Sequence, residues 1–395
     1  MTITYKLNLF SKELQKRKNE LINDNKLLEK HVLNKDKEYS IIRYNKSKLT
    51  SNDITTDIGL YRSVIYSNEK IMSFSPPKSL DEGSFMSKYK PDECYAEEII
   101  EGTMINLFYD TETSDWEIST KSTVNACNTF FTNDKDYVDI KTNKTFRKMF
   151  LEVCEHIKFN YTNLNINYCY SFVFQHPDNK IVIPINEYRL YLISAYSIDN
   201  NTYTITQVKE QDKLNLIKNT NVMTPSSYEF TSYDDIEAII LCMNDTYKDT
   251  GIMIHHIDGA RCKIRNPAYE FVKMLRGNQP KLKYRYIELR QKGHVSAYLK
   301  YFPEVINDFT QFKSEIHSFT EKLYKNYIEC YIKKEKPLLN IEDKQYRICM
   351  YNLHVIYKDE LKPKGKKITK QDVINYVNKL HPSILMDCLN YKLKN

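Results

Sequence analysis

The sequence predicts an α+β fold, in which a core of antiparallel sheets with a few helices is followed by an all-helical C-terminal domain. Two observations predict it. From Tyr39 to Lys283 the chain is mostly short segments rich in Tyr, Ile, Val and Phe, divided by turn-prone clusters. After Pro280 the character changes, and apolar residues recur at helical spacing.

Taken in order, Ser11 to Leu33 reads as a helix, with Leu14, Leu21 and Leu28 at heptad spacing among Lys, Glu and Asn. Such a stripe more often packs on its own domain than on a partner. The expected strands are Tyr61 to Tyr66, Lys70 to Phe74, Met104 to Tyr109, Trp116 to Thr120, Tyr170 to Phe174, Lys180 to Ile185 and Leu190 to Ala195. Turns at Ser75-Pro76-Pro77, Asp110 to Asp115 and His176 to Asn179 separate them. One helix, Lys144 to His156, interrupts the series. Helices are then expected at Val295 to Lys333, Lys344 to Leu361 and Lys370 to Asn378, with a basic loop at Lys362 to Lys367. No internal repeat is visible. The expected organisation is an N-terminal helical extension (1–38), a β-rich domain (39–283) and a helical domain (294–395), with the boundary near residues 280 to 294.

A chain of 395 residues with 41% hydrophobic and 28% charged residues can bury a sizeable core in two domains. Its longest apolar stretches, such as Ile236 to Met243, are far too short to span a bilayer, so no membrane partner is expected. The first ten residues do not read as a secretory signal. The nine cysteines are scattered and never form Cys-x-x-Cys, which argues against a disulfide framework or structural zinc and suits a reducing cytoplasm. The net charge of +7 is compatible with a nucleic-acid partner without demanding one. The 32 tyrosines read first as codon bias in an AT-rich genome, and secondly as base-stacking platforms.

Four segments carry a resemblance. They are Gly59 to Tyr66 with Lys70 to Phe74 and Pro77-Lys78; Glu101-Gly102-Thr103 running to Asp110, with Trp116 to Ser122; Tyr170 to Val182; and Thr250-Gly251-Ile252-Met253-Ile254 with Lys263-Ile264-Arg265-Asn266-Pro267. Together, in this order, they resemble the T4-type RNA ligases of the covalent nucleotidyltransferase superfamily, which includes DNA ligases and mRNA capping enzymes. The resemblance covers roughly residues 59 to 278. It implies a nucleotidyltransferase core of the ATP-grasp-like ligase kind, and with the composition it suggests a degenerate member from a large DNA virus.

The departures are selective. Where the family has its nucleophilic lysine this chain has Ile99, and a branched alkyl group cannot attack a phosphate. Where the family has metal-binding glutamates it has Val173 and Thr250. The expectation is therefore a pseudoenzyme with no catalytic residues, no cofactor and no metal. Lys88, Lys90 (both read as loop) and Lys121 are the candidates for a displaced nucleophile.

The resemblance also implies what survives. Lys121, Lys263 and Arg265 fall where the family contacts phosphates, and Glu101 where it contacts a ribose. Tyr191 is a candidate for stacking a cap base by cation–π attraction. The nucleotide- or RNA-binding set is thus Glu101, Lys121, Tyr191, Lys263 and Arg265. The adjacent His255-His256 pair should face opposite sides of a strand rather than share a metal, with Asp258-Gly259 as a hairpin turn. The runs Lys362 to Lys367 and Lys333 to Lys336 read as solvated surface.

The function expected first is a noncatalytic protein that binds an RNA 5′ end, a cap or a nucleotide, in viral mRNA translation or protection in the host cytoplasm. The alternatives are a protein–protein scaffold working through the helical domain, and an active ATP-dependent RNA ligase.

Overall fold

The computed structural model describes residues 2–50, 53–54, 57–129, 144–341 and 344–391. The chain divides into two compact units, one built from residues 1–129 and 144–273 and the other containing 274–395. Mixed antiparallel sheet and helix make up the first, and helices the second.

Three antiparallel sheets form the first unit. The largest has seven strands in the order β1 (Thr4–Lys6), β12 (Thr204–Gln207), β11 (Arg189–Asp199), β10 (Tyr168–Gln175), β7 (Thr103–Asp110), β8 (Asp115–Thr120) and β9 (Thr123–Val124). A four-stranded sheet runs β13 (Ser227–Tyr228), β6 (Cys94–Glu98), β14 (Gly251–His256) and β15 (Arg261–Arg265). A second four-stranded sheet is a meander of β2 (Leu27–Asn34), β3 (Lys37–Tyr44), β4 (Val64–Ser67) and β5 (Lys70–Phe74).

Period-two patterning fixes which face of each strand turns inward. In β15, Cys262 and Ile264 enter a core with Ile252 and Ile254 of β14, so Arg261, Lys263 and Arg265 take the opposite face. The hairpin joining these strands turns at Gly259, whose φ of +96° falls where only glycine is at ease.

Helices close the remaining faces. Helix α1 is Gln15–Asn23, α2 is Glu82–Lys88, α3 is Phe146–His156, α4 is Glu210–Leu216 and α5 is Tyr233–Met243. Thr145 caps α3 by accepting the Lys148 N–H, and Ser232 with Asp235 forms a capping box on α5. α3 turns Met149, Phe150 and Val153 onto the seven-stranded sheet, where Phe172 and Phe174 await them. Full burial of a side chain such as Phe150 contributes about 2–3 kcal/mol.

Helix α6 (Pro267–Arg276) spans the division between the units. The second unit then holds α7 (Leu282–Gln291), α8 (Val295–Tyr301), α9 (Ile306–Tyr327), α10 (Arg347–Ile356), α11 (Lys370–Lys379) and α12 (Pro382–Leu389). α9 buries Phe309, Phe312, Ile316, Phe319 and Leu323, a stripe at three- and four-residue intervals. No helix among the described residues is long and apolar enough to cross a membrane.

Several expectations need correction. The helix expected from Ser11 to Leu33 ends at Asn23, because Asn25 turns the chain with φ of +56°. Leu28 therefore lies in strand β2, while Leu14 and Leu21 pack on the sheet core of their own unit. Lys180 to Ile185 forms no strand. Lys88 closes a helix rather than lying in a loop. Val295 to Lys333 is broken by Phe302 and Pro303 into α8 and α9.

Candidate functional site

β6, β14 and β15 lie side by side, and their register sets the floor of a cavity. Glu97 pairs with Met253 and Met253 with Lys263, while Tyr95 pairs with His255 and His255 with Arg261. Above this floor is a cavity of about 410 Å³. Among the described residues its cations are Lys46, Arg62, Lys78, Lys121, Arg261, Lys263 and Arg265, and its carboxylates are Glu97 and Glu98.

Both carboxylates already have partners. Glu97 Oε2 lies 3.2 Å from His255 Nε2. Burial works to raise the Glu97 carboxyl, but His255, Lys213 and Arg261 hold it below its ordinary value. Burial also pushes the His255 imidazole down, outweighing the pull of Glu97. Glu98 accepts the Ser226 N–H at 3.0 Å and its hydroxyl at 3.1 Å.

The cations are left crowding one another. Lys263 opens into the cavity, where desolvation by its walls, then Arg265, Lys273, Arg62 and Lys78, push its amine down to about 7. Lys121, exposed at the cavity wall, is pushed down to about 8 by desolvation against that wall and then by Arg62, Arg43, Lys46 and Lys78; its ammonium also sits 4.7 Å from the Tyr44 ring centre. Arg261 is only 7% exposed, and its Nε is buried without a hydrogen-bond partner. Arg265 has a partial counterion in Glu270, 3.4 Å from its Nε.

Of the five residues expected to bind, Lys121, Lys263 and Arg265 are brought together here. Glu101 and Tyr191 line a second cavity of about 340 Å³, which shares the wall Glu98-Ile99-Ile100 with the first. Glu101 is 4% exposed, and its Oε1 accepts the N–H groups of Val182 and Ile183 at 3.0 and 2.9 Å. Its Oε2 is buried beside the Tyr269 phenol, which burial and then this carboxylate push up. Tyr191 is 5% exposed, leaving little ring surface to stack on.

Ile99 and Val173 line the cationic cavity, and Thr250 the second one. Val173 offers no oxygen, and the nearby Glu97 and Glu98 are already committed. This donor set does not fit a divalent metal. Among the described residues no cluster of His, Cys, Asp or Glu could hold a metal ion. His255 and His256 do face opposite ways, the first to Glu97 and the second to Asp258 at 2.9 Å. Lys88 does not line either cavity; its ammonium lies 4.8 Å from the Tyr89 ring centre.

Sequence reasoning missed Lys46, Arg62, Lys78 and Arg261. Arg62 and Lys78 lie inside the first of the four segments that carry the resemblance, and Arg261 continues the alternation of Lys263 and Arg265 by one step.

No family model matches the chain. It is 33% identical over 104 residues to an RNA ligase of Rhodothermus phage RM378, a match covering 26% of this chain and 23% of the phage protein. It is 22% identical over 292 residues to an immediate-early protein ICP-46 homolog of Invertebrate iridescent virus 3, covering 71% of this chain and 59% of that one. The matches thus span less than a quarter of one relative's length and about three-fifths of the other's. Among solved structures, an archaeal ATP-dependent RNA ligase aligns with a TM-score of 0.42 and 8% identity, over 78% of this chain and 79% of that one. A putative ATP-dependent DNA ligase from Aquifex aeolicus aligns with a TM-score of 0.40 and 11% identity, over 96% and 79%. The likeness to RNA ligases read in the four segments is met by sequence similarity to a viral RNA ligase.

Proposed function

We propose that this chain is a noncatalytic RNA-ligase-like protein that binds the phosphate-bearing 5′ end of RNA, in the service of viral mRNA. One observation carries the reading: seven cations line a cavity whose wall presents Ile99 and Val173 in place of a nucleophile and a carboxylate. A cluster of cations with so few counterions favours an anionic ligand, because like charges held together are relieved when phosphate arrives. Phosphate is favoured over a stacked cap base, since Tyr191 is almost wholly buried.

The test is equilibrium binding to short RNAs that differ only at the 5′ end, carrying a hydroxyl, monophosphate, triphosphate or methylated cap. A preference for a phosphorylated end, lost when Lys263 and Arg265 are both replaced by Gln, is the expected result. Equal, salt-sensitive binding to all four would mean only a general basic surface, and unchanged affinity in the double variant would overturn the reading.

A second role for the helical unit is supported by α10. Ile348, Tyr351 and Val355 recur on it at three- and four-residue spacing and are exposed, Ile348 by 72%. Such a stripe suits a protein partner. Replacing all three by Ser should abolish any complex made through residues 274–395 and leave RNA binding unchanged.

A further inference from the structure

β15 sets its cations at a fixed interval. Residues two apart on a strand are separated by about 6.7 Å, and Arg261, Lys263 and Arg265 all face the cavity. Phosphates in an anhydride chain share a bridging oxygen and lie much closer together than this. Phosphates of a nucleic-acid strand are separated by a whole sugar, and their spacing matches the ladder.

Arg261 is the informative rung. Among the described residues it makes no ion pair, and its Nε is buried and unpartnered. Its neighbour Arg62 also lacks an ion pair, and burial followed by the charge of Arg261 pushes the Arg62 guanidinium down. Two interacting guanidiniums that share only the nearby Glu97 carboxylate, itself paired with His255, are costly to desolvate, and an added anion between them lowers the cost. A triphosphate seated at Lys263 and Arg265 would leave this pair unmet.

We infer that the cavity takes the backbone of single-stranded RNA along β15, one phosphate to each of Arg265, Lys263 and Arg261. The inference rests on the reading of the cavity as an RNA site and adds the form of the ligand: a chain of at least three nucleotides rather than a mononucleotide polyphosphate. Lys78 and Lys121, from other elements, line the same cavity and add to its positive charge.

The full chain would be titrated with 5′-monophosphorylated oligouridylates of one, two, three and five nucleotides, and separately with GTP and tripolyphosphate. Affinity should rise roughly tenfold for each phosphate up to three, as expected of hydrogen bonds to charged groups, and then flatten. The salt dependence should steepen by about 0.7 per phosphate. GTP and tripolyphosphate should compete no better than the dinucleotide. Arg261→Gln should erase the third step, and Arg261→Lys, which keeps the charge if the Gln variant folds poorly, should retain most of it. Tripolyphosphate competing as well as the trinucleotide would overturn the inference, as would a trinucleotide binding no tighter than the mononucleotide. Both of those results leave the 5′-end reading standing. Failure of every RNA to bind would remove that reading as well.

Discussion

The Ile99 N–H donates to the Gly251 carbonyl at 2.9 Å, which pins position 99 to the strand that begins beside Thr250. The side chain at 99 is thereby held in the wall between the two cavities, at the position that the resemblance to RNA ligases assigns to a nucleophile. With an alkyl group there, incubation with labelled ATP or GTP and magnesium or manganese should leave no covalent nucleotide on the protein. Ile99→Lys alone should stay unlabelled too, because Val173 and Thr250 supply no carboxylates. Autoradiography after denaturing electrophoresis reads the result, and a labelled wild-type band would end the noncatalytic interpretation.

Lys263 should make ligand binding depend on pH. Its folded amine is pushed from 10.5 to about 7, and Lys121 follows to about 8. A bound phosphate favours the ammonium, so RNA affinity should fall as pH rises from 6 to 9, by at most about tenfold per unit for each proton taken up. Lys263→Arg should flatten the part of this fall that begins near pH 7. Stability without ligand runs the other way. Between about 7 and 10.5 the unfolded chain holds more protons at this position, so wild-type stability should rise with pH relative to Lys263→Met. Below that window both states are charged and the full penalty is present.

Gly102→Ala should destabilise the first unit by about 3 kcal/mol. Gly102 has φ of +151°, and an added Cβ would stand 2.4 Å from the Phe174 carbonyl oxygen and 2.7 Å from Val173 Cγ1. Neither the backbone of β10 nor its neighbouring strands can yield. A urea unfolding series measures the change, and a shift below 1 kcal/mol would show that the strand relaxes.

Asn266→Ala should loosen the chain that leads into Thr250. The two hydrogens of the buried Asn266 amide nitrogen are shared among the carbonyls of Met243, Thr246 and Asp249, at 2.9, 2.7 and 2.8 Å. Removing it strands three acceptors and should cost about 2–3 kcal/mol. Hydrogen exchange of amides 244–250 should accelerate far more than that of β15; equal acceleration would mean the whole unit had weakened.

Local patterns were legible in the sequence, and long-range partners were not. The helix expected from Lys144 to His156 is α3, and the expected strands Tyr170 to Phe174 and Met104 to Tyr109 are β10 and β7. Ile181, Val182, Ile183 and Ile185 invited a strand, yet the amides of Val182 and Ile183 go to the Glu101 carboxylate, 81 and 82 residues upstream and invisible to any local window. The same contact explains why Glu101, expected to touch a ribose, is occupied within the fold. The N-terminal heptad misled for a related reason: Leu28 has the right spacing, but β3 was waiting to pair with its strand. Of the site, the sequence offered the cations that match a known motif; Arg261 lay just outside that motif, and its unpaired burial is a property of packing.

The pairing of β1 with β12 joins residues 4–6 to residues 204–206. About 200 residues of chain separate the two strands. At about 5–20 residues per second, roughly 10–40 seconds separate the emergence of the two strands. Throughout that interval β1 has no partner, so the seven-stranded sheet cannot be completed while its early strands are already outside. Assembly of the first unit is thus tied to the pace of translation, and a pause placed before residue 204 would lengthen the time for which the growing chain depends on protection from its neighbours.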